Sequence, residues 1–248
     1  MTLHIATHNI HKGLSHFNRR MMVHELRDSL RALNADIVFL QEVQGHHGQR
    51  AARYENWPSA PQYEFLAHEV WKDFAYGQNA VYDHGHHGNA ILSRYPIIST
   101  DNQDVSTHRH ESRGLLHCEI RVPGWSEVLH CLCVHLALHE RGRRTQVGAL
   151  IERIHRLVPR NAPLLVAGDF NDWRNLAEKR LAGELDLVEA FRNHRGLPAR
   201  SFPCALPLLR LDRIYLRGFT VRHTEIHKGG AWARLSDHAA LSAHLVPV

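Results

Sequence analysis

A carboxylate and an amide two residues apart, after an apolar run, form the pair in this sequence best suited to chemistry. Asp169 and Asn171 follow the apolar stretch Pro163–Val166 in the string AGDFNDW. Alternate residues of an extended chain share a face, so both side chains can point to one side. A carboxylate can hold a hard cation or a proton, and a neutral amide can donate to an anion. The pair suits phosphate-ester chemistry. The alternative is that Asn171 or Asp172 only caps a helix starting near Trp173.

Other polar residues stand where further strands are predicted to begin or end. They are Asn9, Glu42, His135, Asp212, Asp237 and His238. Carboxylates could hold Mg²⁺ or Mn²⁺, amides could donate to phosphate oxygens, and a histidine backed by a carboxylate could stabilise charge. Each residue also has a structural interpretation as a turn, a cap or an ion-pair partner. Together they predict hydrolysis of a phosphate ester.

The first half of the chain alternates apolar and polar residues in patterns typical of strands and amphipathic helices. A strand is predicted over Leu3–Asn9 and a helix over Met22–Leu33, with Asn18 as its cap. A second strand spans Asp36–Gln41 and ends at Glu42. An exposed loop over 44–62 and a helix around Tyr63–Asp73 are expected next.

The second half predicts more strands than helices. The strands are Asn89–Ser93, Leu115–Val122, Val128–Leu136, Leu164–Ala167, Leu211–Leu216 and Ala239–Leu245, and an amphipathic helix covers Val147–Leu157. Gly196–Leu209, with three prolines, is predicted to be a long connection. The mixture favours an α+β fold, in which two mixed sheets stack face to face with helices outside, and one domain over 1–248.

Composition excludes several classes of protein. The chain has 248 residues, and no apolar run approaches the roughly 18–20 residues of a membrane span. We recognise neither a secretion signal nor an apolar hairpin suited to membrane insertion, so a cytoplasmic location is expected. The net charge of +5 is compatible with an anionic substrate, but no Lys/Arg run marks a nucleic-acid tail. The four cysteines form no CxxC pair and are expected to be buried.

Seven short strings resemble the endonuclease/exonuclease/phosphatase superfamily, which includes deoxyribonuclease I, neutral sphingomyelinase and exonuclease III. In order they are THNIHKG, DIVFLQEV, GNAILSRYPI, CVHLAL, AGDFNDW, LDRIYL and LSDHAAL, and they run from residue 7 to 241. Within the family, the strings HFNRRMMVHELRDSLRALNADIV, YENWP and HGHHGNAILSRYPI resemble uncharacterised bacterial YbhP-like members. The resemblance implies a four-layer αββα sandwich and phosphoester hydrolysis that depends on Mg²⁺ or Mn²⁺.

The resemblance also implies roles for the residues named above. Glu42 resembles the principal metal ligand, with Asn9 beside it and Asp237 as a further metal-site carboxylate. Asp169 and Asn171 resemble the pair facing the attacking water and the phosphate. His238 resembles the essential histidine, oriented by Asp212; the general base is Asp169 or His238. The remaining matches are His135, the second histidine of some branches, and Arg113, either a phosphate contact or an ordinary surface arginine.

Departures from the family pattern bear on the substrate. Gln44 stands where deoxyribonuclease I carries a DNA-contacting arginine, and LQEV replaces the LQETK-like text of abasic endonucleases. Neither favours duplex DNA. We therefore predict a phosphodiesterase acting on nucleic acid, a phospholipid headgroup or a small molecule, with no obligate protein partner. The alternatives are a nuclease and a catalytically inactive protein that binds a phosphate ligand.

Overall fold

Two mixed six-stranded sheets form the centre of the computed structural model, which describes residues 2–15 and 18–248. In chain order the strands are β1 Leu3–Asn9, β2 Ile37–His47, β3 Asp73–Tyr82, β4 Gly85–Ser93, β5 Ile97–Asp104, β6 Gly114–Ile120, β7 Leu129–His135, β8 Leu164–Asp169, β9 Val188–Glu189, β10 Asp212–Arg217, β11 Phe219–His227 and β12 Ala240–Pro247. The first sheet has the order β11-β12-β1-β2-β4-β3 and the second β5-β6-β7-β8-β10-β9.

Helices cover the outer faces of the two sheets. They are α1 Val23–Leu33, α2 Gly48–Arg53, α3 Gln62–Ala67, α4 Glu140–Leu157, α5 Leu176–Leu185, α6 Ala190–Arg195 and α7 Trp232–Leu235. Side chains of α1 and α3 pack on the first sheet, and those of α4 and α5 on the second. A third apolar cluster lies between the sheets. The predicted four-layer αββα sandwich is confirmed.

The predicted helix 22–33 is present, but its predicted cap is wrong. Helix α1 begins at Val23 after Met22, whose side chain makes no capping hydrogen bond. Val23, Leu26 and Leu30 are fully buried on one face, at the spacing of an amphipathic helix. Burial of this face, rather than a cap at Asn18, therefore sets where the helix starts.

Two further predictions between the second and third strands are corrected. Helix α3 ends at Ala67, and Asp73 opens β3 rather than ending a helix. The expected loop 44–62 contains the end of β2, which continues to His47, and helix α2. Pairing of β2 with β4 extends to the pair His47–Gly85, so tertiary pairing orders residues whose composition is typical of a loop.

Four strands have no counterpart in the sequence-based prediction, and all four are sheet edges. They are β3, β5, β9 and β11. Edge strands expose much of their surface and carry polar residues, which weakens the apolar alternation that reveals a strand. β5 shows this directly, because it contains no fully buried residue.

No helix in the described part of the chain is long and apolar enough to cross a membrane. All four cysteines are buried, as expected.

Candidate active site

Strand pairing places three of the predicted residues side by side at one end of the second sheet. Asp169, at the end of β8, is paired with His135 on β7 and with Asp212 on β10. The first sheet contributes Asn9, whose Nδ2 donates to Asp169 Oδ2 across the gap between the sheets at 3.2 Å. One carboxylate thus joins residues from four strands that are far apart in sequence.

Asp169 is the hub of this cluster. Its Oδ1 accepts the backbone N–H of Asn171 at 2.9 Å. Its Oδ2 lies 3.5 Å from His135 Nε2 and 3.9 Å from His238 Nε2. Burial, reinforced by the nearby charge of Asp212, raises the pKa of Asp169 to about 6, although His238 opposes the rise. The carboxylate is therefore far more basic than an exposed one.

His238 and Asp212 form a buried pair beside the hub. His238 Nδ1 donates to Asp212 Oδ2 at 2.9 Å. Burial alone would lower the pKa of His238, but the carboxylates of Asp212 and Asp169 outweigh it and raise the pKa to about 10. His238 is therefore an imidazolium at neutral pH.

The backbone around His238 is held by two further polar side chains. His238 N–H donates to Ser236 Oγ at 3.2 Å, and Ser236 Oγ donates to the carbonyl of Asn9 at 2.6 Å. Since the Ser236 hydroxyl is committed to this contact, Ser236 serves as a link between β1 and the segment before β12. His8 Nε2 also donates to the carbonyl of His238 at 3.1 Å.

His135 differs from His238 in charge. Burial and the nearby guanidinium of Arg113 push the pKa of His135 well below its ordinary range, although Glu42 opposes the shift. His135 is therefore a neutral imidazole at neutral pH, and the two histidines facing Asp169 carry different charges.

Glu42 lies in a bulge of β2 rather than at a strand end. Its φ is +57°, and the pairing with β4 slips between Leu40 and Val43 at this point. Lys12 Nζ lies 3.0 Å from Glu42 Oε2. Burial would raise the pKa of Glu42, but Lys12 and then His135 outweigh it and hold the pKa well below its usual range. The side chain is a carboxylate that requires a positive partner.

The turn after β1 places basic side chains against two of the predicted metal ligands. Its residues His11, Lys12 and Gly13 all have positive φ. Lys12 contacts Glu42, and His11 Nδ1 lies 3.4 Å from Asp237 Oδ1. Sequence reasoning missed both basic residues, and the string THNIHKG, which places them two and three residues after Asn9, was the available signal.

Asn171 reaches the site by a route that the sequence did not predict. β8 ends at Asp169, and Asn171 has a φ of +49°, so the alternation argument for this side chain is wrong. Its Nδ2 donates to the carbonyl of Leu136 at 2.9 Å. The capping alternative holds for Asp172, whose Oδ2 accepts the N–H of Ala177 in α5 at 2.8 Å.

Arg113 and His87 lie beside the cluster. Arg113 Nε donates to the carbonyl of Leu136 at 3.2 Å. His87, in the first half of β4, has its pKa lowered to about 4 by burial and by Lys12, while Glu42 opposes the shift. His87 is therefore a neighbour of the site that sequence analysis did not select.

Two sets of residues have donors suited to a divalent cation. Asn9, Glu42 and Asp237 offer hard oxygen donors, the ligands that Mg²⁺ and Mn²⁺ prefer. Among the described residues, Asp169, Asp212 and His238 bring ligand atoms within 4.8 Å of one another. In that second set the hydrogen bond from His238 to Asp212 uses His238 Nδ1 and Asp212 Oδ2, whereas Asp212 Oδ1 is buried without a hydrogen-bond partner among the described residues.

The sequence matches a known family over most of its length. The model of the Endonuclease/Exonuclease/phosphatase family matches residues 6–238. The chain is 50% identical over 241 residues to the Uncharacterized protein YbhP of Escherichia coli strain K12, a match that covers 97% of this chain and 95% of that protein.

Solved structures with low sequence identity share the fold. An endonuclease/exonuclease/phosphatase from Bacteroides vulgatus matches with a TM-score of 0.76 and 18% identity, over 100% of both chains. D. rerio TDP2 complexed with single strand DNA product matches with a TM-score of 0.71 and 18% identity, over 99% of both chains. At this identity the likeness shows the architecture alone.

Proposed function

Because the chain belongs to the endonuclease/exonuclease/phosphatase family, we propose that it is a divalent-metal-dependent phosphodiesterase whose active site is centred on Asp169. One observation carries the proposal. Asn9, His135, Asp212 and His238 converge directly or through one contact on the buried Asp169 carboxylate. Buried groups with strongly shifted pKa values, arranged in one cluster, are typical of catalytic sites.

In this proposal Asp169 accepts the proton of the attacking water. A pKa near 6 leaves the carboxylate ionised at neutral pH and basic enough to accept a proton, which is the balance that general-base catalysis needs. The hydrogen bonds from Asn9 Nδ2 and the Asn171 backbone fix its orientation.

His238 acts on the phosphate in the same proposal. As an imidazolium it neutralises charge on the phosphoryl oxygens and can donate a proton to the leaving oxygen. Asp212 is a positioning residue that fixes the imidazole through Nδ1. In the proposal, neutral His135, Asn171 and Arg113 also contact the phosphate.

Glu42, Asn9 and Asp237 would hold the metal ion. Their oxygen donors fit Mg²⁺ or Mn²⁺, and Glu42 and Asp237 each contact a cationic or basic side chain, which marks both positions as suited to positive charge. A bound ion would neutralise negative charge on the phosphate.

Hydrolysis of bis-p-nitrophenyl phosphate with Mg²⁺ or Mn²⁺ tests the proposal. We expect Asp169→Asn to lower turnover by about 100-fold or more, because the proposed base is lost. Asp186→Asn, the same substitution at an exposed position, is the matched control and should leave turnover unchanged. Equal hydrolysis by wild type and Asp169→Asn would overturn the assignment.

The two alternatives from the sequence are outcomes of the same assay. A protein that binds phosphate ligands without turnover would release no nitrophenol in any variant. A nuclease would cleave DNA or RNA with a steep salt dependence, because nucleic-acid binding releases counterions.

A further inference from the structure

An exposed apolar loop stands at the mouth of the candidate site. We call residues 197–210 the leucine loop. Leu197, Leu206, Leu208 and Leu209 expose 59%, 68%, 56% and 40% of their surface. Single exposed leucines are common, but several on one short segment mark a surface that meets an apolar partner. The exposure also departs from the expectation that the chain offers no apolar hairpin for a membrane.

The exposed leucines are held in place by backbone hydrogen bonds. The N–H groups of Leu208 and Leu209 both donate to the carbonyl of Phe202, at 2.8 and 2.7 Å. Leu206 N–H donates to the carbonyl of Pro203 at 3.1 Å, and Ser201 N–H to that of Leu209 at 2.9 Å. The loop is thus a closed turn that presents its leucines to solvent.

The base of the leucine loop touches the catalytic segment. Cys204 N–H donates to the carbonyl of Asp237 at 2.7 Å, and Ala239 N–H donates to that of Ser201 at 2.8 Å. The ring of Phe202 lies 5.0 Å from that of His238. The base of the leucine loop therefore lies next to His238, so a surface that binds the loop comes close to the proposed phosphate position.

Two arginines of the leucine loop add positive charge to this surface. Arg200 is exposed, and Arg210 donates from Nε only to a backbone carbonyl, that of Pro198. Burial and the neighbouring charges of Arg200, Arg213 and Arg192 lower the pKa of Arg210. Neither Arg200 nor Arg210 has an acidic partner among residues 2–15 and 18–248. The surface thus combines apolar side chains with unneutralised arginine charge.

We propose that the leucine loop docks on an anionic phospholipid surface and that the substrates are phosphodiesters of lipid headgroups at that surface. The substrate assignment rests on the proposed function. The leucines enter the apolar boundary of the bilayer, and the arginines meet the anionic headgroups. The loop's link to His238 then places the site at the depth of the headgroup phosphates.

The chemistry of the loop favours lipid over nucleic acid. Proteins that bind single-stranded nucleic acid use aromatic faces on which bases stack, together with a basic groove. The exposed large apolar side chains of the leucine loop are all leucines, and its one aromatic residue, Phe202, is half-buried beside His238. Apolar side chains flanked by arginines instead match the two parts of an anionic lipid surface.

Vesicle flotation tests the docking surface without any need for activity. We expect the wild type to float with vesicles of phosphatidylcholine and phosphatidylglycerol, less with phosphatidylcholine alone, and less at high salt. Leu206→Ser with Leu208→Ser should weaken binding by about tenfold or more. Leu157→Ser, at a leucine 42% exposed at the end of α4, is the matched control and should bind like the wild type.

A second variant keeps the docking proposal testable if the double leucine variant does not fold. Arg200→Gln should lose much of the preference for phosphatidylglycerol and leave the apolar loop intact. Absence of wild-type flotation, or equal flotation of wild type and the double leucine variant, would overturn the docking proposal. Loss of a dimer in the leucine variant with no change in flotation would identify a second copy as the occupant and also overturn it.

Two assays on the wild-type sample separate this inference from the proposed function. Hydrolysis of bis-p-nitrophenyl phosphate without flotation rejects the lipid surface only. Flotation without hydrolysis rejects the enzyme assignment, and the substrate assignment that rests on it, but leaves the docking surface standing. Release of headgroup from phosphatidylglycerol vesicles supports the substrate assignment, and cleavage of DNA or RNA with no release from lipid overturns it.

Discussion

At the scale of single residues, the site is organised by one buried pair and one half-buried pair of ionisable side chains. Burial raises the pKa of Asp169 to about 6. The neighbouring carboxylates raise the pKa of His238 to about 10, against the effect of burial. Glu42 and Lys12 form a second pair in which the cation keeps the carboxylate ionised. Each pair leads to a measurable prediction.

Replacing Asp212 tests whether it acts through His238. Asp212→Asn should lower kcat by about 100-fold and change KM little, because it misorients a histidine rather than removing a substrate contact. The pKa of His238 should also fall toward its ordinary value, so the activity profile should gain a new pH dependence near neutrality. Steady-state kinetics across pH measure both effects. An unchanged kcat would contradict the pairing, and Asp186→Asn again serves as the control.

Replacing Glu42 tests the proposed metal ligand. Glu42→Gln removes the negative charge but keeps the shape, so the affinity for Mn²⁺ should fall by about tenfold or more while the fold remains. Calorimetric titration measures the affinity and circular dichroism the fold. Glu184→Gln, on the exposed side of α5, is the matched control. If the ion instead sits between Asp169, Asp212 and His238, Glu42→Gln will bind as the wild type does.

At the scale of elements, the side chains of the site are oriented by bulges and turns rather than by regular strands. Glu42 lies in a β-bulge, Asn171 follows the end of β8 with positive φ, and the turn after β1 has three such residues in a row. Residues at bulges escape the two-residue alternation of a strand. This is why periodicity identified the strands but misplaced the orientation of Asn171.

Replacing Gly168 tests how much stability depends on the close approach of β8 to β7 beside the site. Its φ is +144°, and an added Cβ would lie 2.0 Å from the carbonyl oxygen of Val134. Gly168→Ala should therefore lower the free energy of unfolding by about 2 kcal/mol or more, through strain and displacement of β7. Gly183→Ala is the contrasting control, because its Cβ position in α5 is open and alanine favours a helix by about 1 kcal/mol. Urea denaturation measures both, and equal stability of the two variants would contradict the argument.

At the scale of the whole molecule, the many histidines tie stability to pH. Burial lowers the pKa of His4, His8, His87 and His117 to about 4. In the unfolded chain these groups titrate near their ordinary value of 6.5. These histidines therefore cost no stability above pH 6.5, and they lower the free energy of unfolding as the pH falls from 6.5 toward 4, because only the unfolded chain binds the protons.

The free energy of unfolding should consequently fall steeply between pH 6.5 and 4. Each fully buried histidine contributes a slope of about 1.4 kcal/mol per pH unit. Urea denaturation at several pH values measures the slope. His117→Gln should reduce it, whereas His155→Gln, at an exposed position on α4, should not. A stability that is flat from pH 7 to 5 would contradict the assignment.

The sequence by itself determined the family, the sandwich of two sheets and the groups available for chemistry. It could do so because buried central strands carry strong apolar patterns, and because strings such as AGDFNDW and LSDHAAL place carboxylates, amides and imidazoles at the strand ends. These signals are local in the sequence, so they can be recognised without the tertiary structure.

Tertiary structure alone decided which groups meet and which surfaces stay open. The cluster joins Asn9 to Asp169 across 160 positions, and the contact of Lys12 with Glu42 depends on a bulge. The edge strands gain their conformation from pairing with their neighbours. The leucine loop lies beside His238, and its backbone hydrogen bonds hold its leucines toward solvent. Pairwise distance, burial and shifted pKa are properties of the packed chain, so no local pattern encodes them.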